Sequence, residues 1–160
     1  WLHWVEKAGR FSRKNKQGYF SKEEHEKIVQ AIQAAELKTS GEIRVYVEGK
    51  CRFVDSIDRA AEIFYGLKMN ETQHKNATLV YVAMKHKQVA VFGDEGILEK
   101  TGTNFWHENV QNILQHFKKD DYVQGICEVV EKIGQALALH FPFEKGADKN
   151  ELPDEIVFGK

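Results

Sequence analysis

The chain has 160 residues, the size of one domain, and 42% hydrophobic content, enough for a single substantial core. Lysine plus arginine (23) nearly balances aspartate plus glutamate (24), so a net charge of -1 supplies no whole-molecule field for nucleic acid or an anionic membrane. Two cysteines, Cys51 and Cys127, cannot build a disulfide framework and read as buried thiols.

In chain order, residues 1–20 mix aromatics (Trp1, Trp4, Phe11, Tyr19, Phe20) with a basic cluster at Arg10, Arg13, Lys14 and Lys16. They read as an N-terminal extension that packs by its aromatics. Ser21 and Glu24 form a capping box, and Ile28, Val29, Ile32 and Ala35 behind it recur at helical spacing to about Lys38. Glu42–Glu48 alternates polar and apolar residues and predicts a strand. Asp55 or Ser56 caps a second helix with Ile57, Ala60, Ala61, Phe64 and Leu67 on one stripe.

After the polar stretch MNETQHKN, Ala77–Met84 is apolar on both alternating faces, as in a strand covered by helices on both sides. Lys85, His86 and Lys87 separate it from Gln88–Phe92, which predicts a hairpin. Gly93-Asp94-Glu95-Gly96 follows, as a turn into a short Ile97-Leu98 segment. A third helix starts at Thr103 or Asn104, with Trp106, Val110, Ile113, Leu114 and Phe117 sharing a face. A fourth opens at Asp120-Asp121 and runs to Phe141, where Pro142 stops it. Residues 142–160, broken by Gly146 and Pro153, read as a surface-hugging or mobile tail. The domain proper is therefore 21–141.

Strand, helix, strand from Glu42 to Met84 is a crossover unit, so those strands run parallel; the hairpin makes the third antiparallel. The expected architecture is a mixed sheet with helices on both faces. This topology sends the start of strand one (Ser40, Gly41, Glu42), the start of strand two (His74, Lys75, Asn76) and the end of strand three (Gly93, Asp94, Glu95) to one rim. Glu42, Asp94 and Glu95 bring carboxylates, Asn76 an amide oxygen, and Asp120 and Asp121 two more carboxylates if the last helix returns to this edge. Oxygen ligands in that number suit Ca2+ or Mg2+ rather than zinc.

Each residue also has a plainer reading. Asp121 reads more simply as an N-cap and GDEG as a turn, and Glu42 can be a solvated strand end. His107 and His116 read as helix-face residues. The sequence contains no HExxH, CxxC pair, GxSxG, Walker loop or GxGxxG. Two carboxylates in GDEG repel phosphate unless a divalent cation intervenes, so phosphate chemistry here is conditional on metal. The bracketing glycines read as hinges that turn the acidic side chains toward a shared cation.

Ser40-Gly41-Glu42-Ile43, RAAEIF, NATLVYVAMKHKQVAVFGDEGI and DDYVQGICEVVEKIG, in this order and spacing, resemble the TPM domain, also called the thylakoid acid phosphatase-like domain, over about Phe20 to Phe141. TSGEIRV, LKMNETQHKN, FWHENV and NELPDEI are closer still to a bacterial cytosolic branch lacking the transmembrane anchor of many members.

The resemblance implies a three-layer α/β/α sandwich and divalent-cation binding, chiefly calcium. For one plant branch it also implies acid phosphatase activity and photosystem repair. Carried over by position, it points to Asp94, Asp120 and Asp121 as the cation site, with Glu42 supported by the Ser-Gly-Glu match. Asn76-Ala77 departs from a frequent Asn-Gly. The expectation is a monomeric, cytoplasmic cation-binding module without a transmembrane segment. A metal-assisted phosphomonoesterase is the alternative, with Glu95 as general base, and a domain that binds a protein partner is the second alternative.

Overall fold

Ser21 forms both halves of its capping box: its amide donates to Glu24 Oε1 at 2.9 Å and its hydroxyl accepts from the Glu24 amide at 3.1 Å. This starts α1 (Lys22–Glu36), whose Ile28 and Ile32 are buried. A computed structural model describes residues 19–52, 55–143 and 156–159. Beyond α1 come β1 (Glu42–Glu48), α2 (Ser56–Gly66), a 3₁₀ turn (Met69–Glu71), β2 (Ala77–Ala83) and β3 (Gln88–Gly93). Three helices follow, α3 (Glu95–Thr101), α4 (Thr103–Lys118) and α5 (Tyr122–His140), and then β4 (Val157–Phe158).

The sheet order is β3-β2-β1-β4. β1 and β2 are parallel with Glu42 opposite Ala77, and β3 is antiparallel to β2 with Gly93 opposite Thr78. The expected mixed sheet between two helical layers is the architecture observed. Ile43, Val45, Val47, Val80, Val82 and Val91 pack on one face with residues of α1, α4 and α5. Tyr46, Leu79, Tyr81 and Ala90 pack on the other with Ala60, Ile63 and Phe64 of α2. Coverage on both faces buries even the polar positions of β1.

Several local expectations change. GDEG is not a plain turn into a short segment: Asp94 caps a seven-residue helix, α3, by accepting from the Glu95 amide at 2.8 Å. Gly102, with φ 76°, precedes α4, so Thr103 lies inside the first turn and neither it nor Asn104 caps it by a side chain. The end of the tail is no surface strap. Ile156, Val157 and Phe158 are buried, and β4 adds to β1 as a parallel edge strand. Phe20 is buried too, against Phe158 at 6.2 Å between ring centroids. Residues 1–18, with the basic cluster, and 144–155 lie outside the described residues. Among the described residues neither cysteine forms a disulfide, and no helix is long and apolar enough to cross a membrane.

Candidate functional site at the sheet rim

The strand polarities gather the ends predicted to meet. The Glu42 amide donates to the Asn76 carbonyl at 3.4 Å, and the Asp94 amide to the Ala77 carbonyl at 3.0 Å. The Asn76 Nδ2 donates to Ser40 Oγ at 3.3 Å. Glu42 (2% exposed), Asn76 (1%) and Asp94 (4%) are all buried there, whereas Glu95 is exposed beside them.

Asp94 carries the rim's chemistry. Its Oδ1 accepts from the Glu95 amide, while Oδ2 is buried with no hydrogen-bond partner among the described residues. Burial raises the Asp94 pKa; the Glu95 amide and the Lys75 ammonium pull against that, and the Glu95 carboxylate adds to it. One residue before Ala77, Asn76 Oδ1 is likewise buried without a partner. Two acceptor oxygens therefore lack donors at the same end of the sheet.

The glycines make room here; neither acts as a hinge. Neither has a positive φ. A Cβ on Gly96 would stand 2.4 Å from the His74 carbonyl oxygen and 2.6 Å from that of Lys75; one on Gly93 would stand 2.8 Å from the Trp106 ring. Without a side chain at Gly96 the first turn of α3 seats directly on the loop before β2, and without one at Gly93 the Trp106 ring packs on the end of β3.

Asp120 and Asp121 do not reach this rim. The last helix ends there instead: the Phe141 carbonyl accepts from the Ser40 amide at 3.0 Å and from the Thr39 hydroxyl. With 19 residues in α5, its start lies about 28 Å away at 1.5 Å per residue. Lys87 in the β2–β3 turn marks that far end, 3.6 Å from Asp120 Oδ1. A single site joining Asp94 to Asp121 is thus excluded by the helix direction.

At the far end the acids have protein partners. Tyr122 donates to Asp120 Oδ1 at 2.7 Å, and this bond, then Lys87, holds Asp120 below the usual carboxylate range. Asp121 occupies the N-cap position without a capping bond, and its Oδ2 lies 3.3 Å from His116 Nδ1. His116 Nε2 lies 2.6 Å from Glu128 Oε2, so His116 clasps α4 to α5. Gln124, then Asn112 and His116, hold Glu128 below its ordinary pKa. The His116–Glu128 pair escapes sequence reading because its partners are 12 residues apart on different helices.

A second network was also missed. At the carboxyl end of β1, Glu48 accepts from Arg59 Nε at 2.9 Å, from Nη2 at 3.0 Å and from the Tyr81 hydroxyl, all buried. The available signal was Arg59 in the otherwise apolar stripe of α2, three residues before Glu62, with which its Nη1 pairs. Among the described residues, no three His, Cys, Asp or Glu side chains are grouped as a metal site.

A sequence model of the TPM domain matches residues 14–136. The solution structure of BA42 protein from the psychrophilic bacterium Bizionia argentinensis is similar at 40% identity and a TM-score of 0.80, covering 88% of this chain and 96% of that one. The N-terminal domain of cg2496 protein from Corynebacterium glutamicum shares the fold at 15% identity and a TM-score of 0.56, over 75% of each chain. No curated protein matches.

Proposed function

This chain belongs to the TPM domain family, and from that premise we propose that it is a divalent-cation-binding module taking Ca2+ or Mg2+ at the sheet rim. The observation that carries the reading is the buried, unpartnered Oδ2 of Asp94 at the same sheet edge as the unpartnered Oδ1 of Asn76. An ionised carboxylate without a donor costs at least about 1–3 kcal/mol, and a bound cation supplies what is missing. Asp94 is the charged ligand, Asn76 a neutral one, with Glu42 and Glu95 flanking. Backbone carbonyls and water complete hard-cation sites of this type, consistent with weak binding.

Asp120 and Asp121 form a separate locus in this reading, disfavoured because a cation there must displace Lys87 and His116. Titration of the full chain with calcium and magnesium, followed by backbone amide shifts, tests the assignment. Saturable shifts at residues 40–42, 76–77 and 93–96 are expected. Shifts confined to residues 116–128 would move the site, and none at millimolar cation would remove it.

Phosphomonoester hydrolysis is a second reading, favoured by one observation: Glu95 is exposed directly beside Asp94, where a general base would stand. Cation-dependent turnover of a generic phosphomonoester, lost in Asp94→Asn, would support it. Absence of turnover leaves a binding module.

A further inference from the structure

Beside the rim, the C-terminal end of α3, the first half of α4 and the second half of α5 border an open groove of about 570 Å³, within the size range of small-ligand sites. α5 presents Lys132, Gln135, Ala136, Leu139 and His140 to it, a spacing that defines one helical face distinct from the buried Ile126, Val130, Ile133 and Leu137. The exposed face is not an ordinary solvated stripe, since Leu139 is 76% exposed on the groove wall and Phe105 of α4 also lines it. Two lysines, Lys100 and Lys132, face one carboxylate, Glu108, and neither lysine has an ion pair or hydrogen bond among the described residues.

Asn109 forms the inner part of the α4 wall. It is 4% exposed and lines the groove; its Nδ2 is tied to the Phe105 carbonyl at 2.8 Å, which leaves Oδ1 buried and without a donor. Apolar wall and unpaired cations together specify a molecule with two features.

We propose that this groove binds a small amphiphilic organic anion. Its acidic head is held between Lys100 and Lys132, and its apolar body lies on Phe105 and Leu139. The proposal is independent of the cation reading, because none of these residues belongs to the rim.

The probe is 8-anilinonaphthalene-1-sulfonate, which combines a sulfonate, an aromatic body and an anilino N–H. Fluorescence titration of the folded full chain should saturate at one site, with amide shifts in residues 100–109 and 132–140. Lys100→Glu and Lys132→Glu, both at exposed positions, should each weaken it about tenfold while leaving the melting curve intact. Leu139→Ser should weaken it several-fold, and calcium should leave it unchanged. Failure to saturate, shifts located elsewhere, or an affinity equal to the parent's in both charge-reversed variants would overturn the proposal. So would sedimentation with phosphatidylglycerol vesicles, sensitive to Lys100→Glu, in a protein that ignores the soluble probe; the face would then be a membrane contact.

Discussion

Replacing Arg59 with methionine should destabilise the protein far more than an ordinary surface change. Arg59 is 5% exposed and Glu48 3%, and the two are joined by a forked pair of bonds at 2.9 and 3.0 Å. Burial works against the guanidinium charge, but the Glu48 bonds more than restore it. Burial, then Glu48, keeps Tyr81 protonated, so its hydroxyl remains a donor. In Arg59→Met, Glu48 stays buried with Tyr81 as its remaining donor of the three, and breaking a buried pair from one side costs about 3–5 kcal/mol. At roughly 2–4 °C per kcal/mol for a chain of this size, the melting temperature should fall by about 6–20 °C. Thermal and urea unfolding followed by circular dichroism measure it. The cause is checked by Glu48→Gln/Arg59→Met, which removes the stranded charge but leaves Tyr81 an acceptor and should recover at least half the loss. A single variant within about 1 kcal/mol of the parent, or a double variant as unstable as the single, would refute the argument.

Asp94→Asn keeps an oxygen for the Glu95 amide but removes the buried charge. Because burial raises the Asp94 pKa, its ionised form weakens the fold above the ordinary carboxylate range, so the variant should melt no lower than the parent in chelator. The parent should gain about 2.7 kcal/mol at a hundredfold excess of calcium over Kd and the variant nothing; an equal gain in both would remove Asp94 from the site. Gly134→Ala should lower stability by about 1–3 kcal/mol despite alanine's better helix propensity, because its Cβ would stand 2.6 Å from that of Ala35 where α1 crosses α5. Adding Ala35→Gly should return most of the loss, and a stabilised single variant would contradict the close crossing. His25 has its pKa lowered by burial, with Glu26 opposing. Its contribution is present above the unfolded value near 6.5 and is lost as pH falls from there toward the folded value. The melting temperature should therefore fall as the pH drops below about 7, and His25→Phe should flatten that slope; a slope unchanged in the variant would assign it to other groups.

What the sequence disclosed and what it concealed divide along a physical line. Short-range signals were legible: the Ser21–Glu24 box, the β-branched run of β1 and the hairpin at Lys85–Lys87 each depend on neighbours within a few residues. The rim was legible because strand polarity alone decides which ends meet, and a crossover followed by a hairpin leaves one choice of polarity. α3 was concealed because its seven residues include Gly96 and span too few turns for periodicity to register. β4 was concealed because its partner in β1 lies 111 residues upstream, at Tyr46↔Val157, and a two-residue strand has no pattern of its own.

The direction of α5 follows by length from one contact that the sequence does not show. Trp106 packs on Gly93 at the rim, so the 16 residues of α4 carry the chain about 24 Å toward the hairpin end before α5 begins. α5 must then descend to the rim with its C-terminus, and the loop holding Asp120 and Asp121 must sit beside Lys87. The two acidic pairs, alike in sequence, meet opposite conditions for this reason. Asp94 is held in a buried corner with an oxygen unfilled, while Asp120 and Asp121 are exposed beside a lysine and a histidine. Any cation chemistry of the chain must distinguish those ends.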